Sequence, residues 1–217
     1  MLDAQCPIAN SPWLTLLRKY RVIAVIRAQK KNLARQMALS VASAGIRLIE
    51  ITWSTPQAAE LIEQLAGELP DCIVGTGTLL DLKQLQQAVR AGAEFLFSPH
   101  IDQVIILAAI RQNLPVIPGA LTPTEIVTAW TQGATCVKVF PVQAVGGAGY
   151  IKSLQGPLGH IPLIPTGGVT VENAAEFLEA GAIAIGLSSE LFPKHLVISE
   201  DWDSIARRTE ILLQKIK

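Results

Sequence analysis

The sequence has few charged and few aromatic residues, and the first shortage excludes a class of protein. Charged residues make up only 17% of the 217 positions, and 18 basic and 18 acidic side chains cancel to a net charge of zero. A protein that neutralises nucleic-acid phosphates is normally basic, so we expect no nucleic-acid partner. Half of the residues are apolar. The chain therefore has enough hydrophobic surface to fold and does not resemble a disordered protein.

Cysteine and long apolar runs are also scarce. The three cysteines, Cys6, Cys72 and Cys136, are an odd number without C-x-x-C spacing, which favours a reducing compartment over a disulfide framework or structural zinc. The longest apolar run, residues 104–110, is far shorter than a bilayer span, and residues 1–20 lack a signal-peptide pattern. We therefore expect a soluble, cytoplasmic protein with no membrane partner.

Metal-binding patterns are missing as well. His100, His160 and His195 are scattered, with neither H-x-H nor H-E-x-x-H spacing, and no acidic cluster replaces them. We therefore predict that the protein binds no metal. His100 follows the S-P pair at the end of a strand-like run, so it could face a site at that end.

Eight short runs rich in Val and Ile, most of them bounded by Gly, Pro or Ser, recur at a steady pitch with amphipathic segments between them. No linker or change in composition interrupts them, which predicts a single (β/α)8 TIM-barrel domain over residues 1–217. An open doubly wound sheet is the alternative, but no G-x-G-x-x-G turn follows the first run. The runs are residues 22–27, 47–52, 72–75, 95–98, 115–118, 135–140, 162–165 and 182–187.

Helix boundaries can also be predicted. Asn10 or Ser11, followed by proline, could begin an extra N-terminal helix that ends before residue 21. Thr55, Asp81 and Thr122 are predicted N-caps of later helices.

Lys138 is the most unusual residue of the predicted strands, because it lies in the apolar run C-V-K-V-F-P. It alternates with Cys136 and Phe140, so the three side chains share one face. Apolar surroundings disfavour an ammonium ion, and a neutral amine can attack a ketone to form a Schiff base. The alternative, which is the commoner reading for a lone strand lysine, is that Lys138 ends its strand and extends its amine to solvent.

Two more charged residues lie near strand ends. Glu50, in R-L-I-E-I-T, could exchange protons with a neighbouring lysine at a barrel mouth. Its alternatives are a salt bridge with Arg47 or Arg27, or simple exposure. Arg27 ends the first strand and could bind a substrate carboxylate through two parallel hydrogen bonds, or pair with Glu50.

Glycine-rich turns follow three of the predicted strands. Gly167 and Gly168, in P-T-G-G, follow the seventh, and residues 186–189 follow the eighth. Glycine allows backbone N–H groups to approach a phosphate, and phosphate sites of these barrels lie after strands seven and eight. Tight turns without a ligand are the alternative. Thr78, in G-T-G-T, could bind a substrate carboxylate or cap the next helix.

Eight segments carry a family resemblance: VIAVIRA, GIRLIEIT, IVGTGTLLD, AGAEFLFSP, PVIPGALTPTE, VKVFP, PTGGVT and GLSSEL. In this order and spacing, and over nearly the whole chain, they resemble the class I aldolases that act on 2-keto-3-deoxy-6-phosphogluconate and 4-hydroxy-2-oxoglutarate. The resemblance implies a lyase of carbohydrate metabolism (the Entner–Doudoroff pathway) that releases pyruvate from a phosphorylated keto acid and forms homotrimers. A phosphate-binding isomerase or epimerase and a non-catalytic barrel remain the alternatives.

The resemblance also implies residue roles. Lys138 would form the Schiff base, so no metal or organic cofactor is expected, and Glu50 would be the general acid and base. The implied substrate-binding set covers the pyruvate unit and the phosphate: Arg27, Ser54, Thr78, Phe140, Gly167, Gly168 and Ser188.

Three positions depart from the family pattern. Ser54, in E-I-T-W-S-T, stands where many members have arginine, and S-T-P-Q at residues 54–57 is near the N-S-P-Q of members acting on the galactonate epimer. Gln143 stands where glutamate is common, and His100 where glycine is usual. None of these is Lys138 or Glu50. The expected reaction type therefore stands, while the gluconate, galactonate and hydroxyoxoglutarate substrates stay open.

Overall fold

The computed structural model describes residues 11–217, which form eight parallel strands alternating with helices. The strands are β1 Val22–Ile26, β2 Leu48–Thr52, β3 Ile73–Gly77, β4 Leu96–Ser98, β5 Val116–Ala120, β6 Val137–Val139, β7 Leu163–Pro165 and β8 Ile185–Leu187. The helices are α1 Pro12–Tyr20, α2 Lys31–Ser43, α3 Ala58–Glu68, α4 Leu82–Arg90, α5 Gln103–Arg111, α6 Pro123–Thr131, α7 Ala148–Leu158, α8 Ala174–Glu179, α9 Lys194–Ile198 and α10 Trp202–Lys215.

The sheet closes into a barrel. Each strand pairs in parallel with the next along the chain, and β1 also pairs with β8. The junction of β7 with β8 is made by one bridge, Thr166 with Gly186, and a 3.0 Å hydrogen bond from Ile183 N to Leu163 O. The predicted (β/α)8 barrel is therefore confirmed.

Several strand ends differ from the prediction. Arg27 follows β1 and Arg47 precedes β2, so Lys138 alone of the three basic residues expected in strands lies within one. The Arg47 guanidinium donates to the carbonyls of Ala42 and Ile46, which lie before β2. Arg47 is therefore held at the amino-terminal end of its strand and cannot pair with Glu50 across the opposite end.

The strands are apolar on both faces because helices cover the outside and side chains fill the inside. In β1, Ile23 and Val25 belong to the inner cluster, whereas Val22, Ala24 and Ile26 pack in the layer beneath the helices. The same alternation places Lys138 and Glu50 on the inner side of their strands.

Helix α1 closes the amino-terminal end of the barrel. Its buried residues Trp13, Leu14 and Leu17 join the inner cluster, and the Trp13 ring packs 4.8 Å from the Phe95 ring. The predicted extra helix is confirmed; it begins after Ser11, and Asn10 lies outside the described residues. Because this end is filled, a ligand reaches the inner side chains from the carboxyl ends of the strands.

Two of the three predicted N-caps are confirmed. Asp81 accepts a hydrogen bond from Gln84 N at 2.8 Å, and Thr122 forms a reciprocal capping box with Glu125. The prediction for Thr55 is wrong, because α3 begins at Ala58. The buried Thr55 hydroxyl instead accepts from Ala28 N, at 3.4 Å, and thus connects the loops after β1 and β2.

The described part of the chain contains no helix with the length and apolarity needed to cross a bilayer. Within residues 11–217 no group of three or more His, Cys, Asp or Glu side chains is placed to hold a metal ion. Cys72 and Cys136 are both buried and free, and Cys6 lies outside the described residues.

Candidate active site

A cavity of about 500 Å³ lies at the carboxyl ends of the strands, a size suited to a small-molecule ligand. It is lined by residues from β1, β2, β6 and β8 and from the loops after β1, β3, β4, β6, β7 and β8. It contains every predicted site residue except Ser54: Arg27, Glu50, Thr78, Lys138, Phe140, Gly167, Gly168 and Ser188.

Lys138 lies on the inner face of β6 and is 7% exposed. Its Nζ lies 5.5 Å from the centroid of the Phe97 ring and 5.0 Å from that of Phe140. None of the ion pairs found in residues 11–217 includes this amine. Lys138 is therefore buried beside the cavity and near two aromatic rings, rather than extended into solvent.

Glu50 is 1% exposed and forms no ion pair with Arg27 or Arg47. Its Oε1 has no hydrogen-bond partner among the described residues. Burial raises the pKa of this carboxyl, and the positive charges of Lys138 and Arg27 only partly oppose that increase. A carboxyl group whose pKa is raised holds its proton at a higher pH than an exposed carboxyl does, which favours a role in general acid–base catalysis.

Two hydroxyl groups hold the Arg27 guanidinium at the rim of the cavity. It donates to Ser54 Oγ at 2.7 Å and to Thr78 Oγ1 at 3.2 Å. Neither partner is charged, so the positive charge of Arg27 is available to an anionic ligand. Thr78 has a φ of 63°, a strained value for threonine that tends to occur at functional sites. Ser54 thus reaches the site through Arg27, although it does not line the cavity.

Gly167 and Gly168 form the far end of the cavity, with φ angles of 79° and 98° that favour glycine. A Cβ at Gly167 would lie 3.1 Å from the Phe140 ring, and one at Gly168 would overlap the side chain of Gln143. Within residues 11–217, the backbone N–H groups of Gly168 and Ser188 have no protein acceptor. Unpaired N–H groups of this kind are suited to binding an anion.

Some lining residues were not predicted from the sequence. Thr166, Ser189 and Glu190 also face the cavity. Thr166 belongs to the same P-T-G-G turn as the predicted glycines, and its position there could have identified it as a residue that lines the site. His100 does not line this cavity but an adjacent one of about 360 Å³, which shares Pro99 and Phe140 with it.

A buried lysine and a buried carboxyl at the carboxyl ends of a closed parallel barrel are typical of the TIM-barrel enzymes that use a lysine amine. Comparison with known proteins identifies the family. The family model described as KDPG and KHG aldolase matches residues 14–208, so the chain belongs to this aldolase family. It is accordingly a carbon–carbon lyase.

Individual relatives agree with the family match. The chain is 35% identical over 184 residues to the 2-dehydro-3-deoxy-phosphogluconate aldolase of Dickeya dadantii, covering 85% of this chain and 86% of that protein. It is 32% identical to the KHG/KDPG aldolase of Escherichia coli K12, covering 86% and 87%. A crystal structure of KDPG aldolase from Legionella pneumophila, holding pyruvate as a covalent carbinolamine, has a TM-score of 0.85 at 27% identity and covers 93% of this chain and 98% of that one.

Proposed function

We propose that the protein is a Schiff-base aldolase that reversibly cleaves 2-keto-3-deoxy-6-phosphogluconate to pyruvate and glyceraldehyde 3-phosphate. We include in the proposal the cleavage of 4-hydroxy-2-oxoglutarate to pyruvate and glyoxylate. The observation that carries it is the burial of Lys138 and Glu50 beside one cavity. The names of the Dickeya and Escherichia relatives support both substrates, and the carbinolamine of the Legionella enzyme supports the covalent chemistry.

The first half of the reaction joins substrate to enzyme. Lys138 Nζ attacks the C2 carbonyl carbon of the keto acid, and the proton that Nζ loses is transferred to the carbonyl oxygen to give a carbinolamine. Glu50, in its acid form, protonates the carbinolamine hydroxyl, which leaves as water. The product is an iminium ion between C2 and Nζ, which attracts electrons from the neighbouring carbon–carbon bond.

The second half cleaves the C3–C4 bond. The Glu50 carboxylate accepts the proton of the C4 hydroxyl, directly or through a water molecule. The C3–C4 electron pair moves into the iminium ion and leaves an enamine, and the aldehyde departs. Protonation of the enamine at C3 and hydrolysis of the iminium then release pyruvate and restore the amine. The lysine itself supplies the electron sink, so the reaction requires no metal or organic cofactor.

The remaining residues bind the two ends of the substrate. The Arg27 guanidinium binds the carboxylate of the pyruvate unit, and Ser54 and Thr78 orient it. Phe140 packs against the three-carbon unit beside Lys138. The phosphate binds at the unpaired N–H groups of the turns after β7 and β8, where these barrels commonly bind phosphate. These turns contain Gly167, Gly168 and Ser188.

Trapping with borohydride tests the chemistry. Reduction in the presence of pyruvate should attach a three-carbon adduct to Lys138, as located by mass spectrometry of peptides. A phosphate-binding isomerase or a non-catalytic barrel would give no adduct at saturating pyruvate, and that result would overturn the proposal. Rates of cleavage of the gluconate substrate, its galactonate epimer and 4-hydroxy-2-oxoglutarate by one purified sample then rank the substrates. Faster cleavage of the galactonate epimer would make that the main activity.

Replacing Arg27 should weaken substrate binding more than it slows chemistry. Arg27→Gln removes the charge that binds the carboxylate, so KM should rise by about 10- to 100-fold, corresponding to the loss of a charged hydrogen bond. Ser54→Ala removes one hydroxyl that orients Arg27 and should raise KM by about threefold, a typical neutral hydrogen-bond effect. Steady-state kinetics measure both. The exposed Arg207→Gln on α10 is the control, and an unchanged KM in Arg27→Gln would refute the assignment.

We also propose that the enzyme is a homotrimer, as the family resemblance implies, and that its interface includes the apolar side chains exposed on α4, α5 and α6. Val104, Leu107 and Ile110 on α5 are 56%, 42% and 42% exposed, and Leu82 and Val127 lie partly exposed on the flanking helices. A groove of about 780 Å³ runs between α4 and α5. Clustered apolar exposure of this kind marks an interface, and a second copy of this chain would cover it.

A charge on this face should dissociate the oligomer. Leu107→Glu buries a carboxylate in the proposed interface, so light scattering coupled to gel filtration should show the mass fall from three chains to one. Ile198→Glu on α9 is the matched control, since Ile198 is 71% exposed but not part of the α4–α6 face. A trimeric Leu107→Glu would place the interface elsewhere, and a monomeric wild-type chain would overturn the proposal.

Two broader parts of the proposal concern the chain as a whole. We treat residues 1–217 as one domain, since the barrel strands are spread from β1 near the start to β8 near the end. We place the enzyme in the cytoplasm, which the free, buried thiols of Cys72 and Cys136 support.

A further inference from the structure

Gly77, the last residue of β3, lies directly against the carboxyl group of Glu50. A Cβ built on Gly77 would overlap Glu50 Oε1 and would lie 2.5 Å from Cδ and 3.0 Å from Cγ. The atoms in the way belong to a carboxyl group that is itself 1% exposed. Any side chain at residue 77 therefore requires Glu50 to move.

The backbone conformation does not explain why residue 77 is a glycine. The φ of Gly77 is outside the left-handed region, and the residue lies in regular strand pairing opposite Thr52. Its carbonyl accepts a hydrogen bond from Trp53 N at 2.7 Å. A buried strand position of this kind normally favours a β-branched or aromatic residue, and glycine in a strand often marks a close approach by another group. Here the approaching group is the carboxyl of Glu50.

The strand register accounts for the contact. Glu50 on β2 pairs opposite Gly75 on β3, and its side chain extends toward the carboxyl end of the barrel until it reaches Gly77. The bare backbone of Gly77 thus lies against one side of the carboxyl group. Lys138 on β6 and Arg27 after β1 are the charged groups that act on it from the cavity.

We propose that Gly77 is a positioning residue for Glu50, because its missing side chain provides the space that holds the carboxyl group beside the cavity. The inference rests on the proposed role of Glu50 as acid and base. It predicts that a single methyl group at residue 77 displaces the carboxyl toward the cavity, away from its reacting position, and leaves the barrel and Lys138 unchanged.

The first test is Gly77→Ala in the full chain. The kcat should fall by about 100-fold, the lower range for loss of general acid–base catalysis, while KM changes by less than about threefold. One limb of the kcat/KM pH profile should be absent in Glu50→Gln. In Gly77→Ala this limb should move to lower pH, because a carboxyl displaced toward the cavity loses part of the burial that raises its pKa. Borohydride with pyruvate should still label Lys138. A kcat within threefold of wild type would overturn the inference.

A double-mutant cycle separates positioning from general damage. In a Glu50→Gln background, Gly77→Ala should change kcat by less than about twofold, because the acid–base group is already lost. An equal loss in both backgrounds would show a merely structural effect. Gly67→Ala on α3 is the control, since a Cβ there meets no atom within 4 Å.

A shorter carboxylate keeps the test decisive if Gly77→Ala fails to fold. Glu50→Asp withdraws the carboxyl from the space at residue 77, so the Gly77→Ala/Glu50→Asp protein should fold and show a kcat within about threefold of Glu50→Asp alone. An unfolded double variant would overturn the inference. If Glu50→Gln itself turned over like wild type, the role of Glu50 would fail; if it is impaired and Gly77→Ala is normal, only the inference on Gly77 fails.

Discussion

Lys138→Ala is expected to abolish aldol cleavage, lowering kcat by at least about 10⁴-fold, because the covalent route through an iminium ion is lost entirely. Borohydride should then attach no pyruvate adduct. The fold should survive, since the lysine forms no ion pair with any residue of the described range 11–217, and the rings of Phe97 and Phe140 remain beside the cavity. Circular dichroism and a rate assay with pyruvate detection measure both expectations.

Two further variants make this result specific. Lys138→Arg keeps a positive charge but cannot form the Schiff base, so it should be as inactive as the alanine variant. Lys152→Ala on α7 removes an exposed lysine and should retain wild-type activity and adduct formation. Turnover by Lys138→Ala, or an adduct located on another lysine, would overturn the assignment of the amine.

Glu50→Gln is expected to slow turnover by about 10²- to 10³-fold, because the amide keeps the shape of the side chain but cannot transfer a proton as the carboxyl does. Some pyruvate adduct should still form on Lys138, since the amine itself is unchanged. Single-turnover rates and borohydride labelling separate these two effects. Glu63→Gln, on the exposed face of α3, is the matched control. Wild-type turnover in Glu50→Gln would contradict the acid–base role.

Glu50→Gln should also stabilise the folded protein at neutral and alkaline pH. Burial raises the pKa of Glu50 in the folded protein. The contribution of this residue to the free energy of unfolding is therefore complete only below its pKa in the unfolded chain, and it is lost as the pH rises through its pKa in the folded protein. Glutamine has no such loss. At pH 8 Glu50→Gln should therefore have a higher Tm than the wild-type protein, as differential scanning calorimetry would measure. The difference should vanish near pH 4, and a Tm gain independent of pH would contradict this account.

The sequence predicted the barrel because its evidence is local. Val- and Ile-rich runs at regular spacing identify buried parallel strands without knowledge of any neighbour. Lys138 was found for the same reason, because a lysine between Val137 and Val139 conflicts with its surroundings. A residue that departs from a uniform pattern can be recognised from the sequence alone, and such local conflicts tend to occur at functional sites.

Features that depend on contacts between strands could not be predicted in this way. The Thr55 hydroxyl connects the loops after β1 and β2 instead of capping a helix. The glycine at residue 77 is explained only by the Glu50 side chain on the neighbouring strand β2. The reach of Ser54 to Arg27 likewise joins residues 27 positions apart. Local propensity carries no information on such pairs, because the barrel register decides which side chains meet.

The barrel closes between β7 and β8, where Thr166 and Gly186 form a single bridge. The turn with Gly167 and Gly168 follows β7 on one side of this junction, and Ser188 follows β8 on the other side. An anion bound by both turns would connect the ends of β7 and β8. Bound substrate would then stabilise this junction of the barrel, and release of the phosphorylated aldehyde would remove that stabilisation.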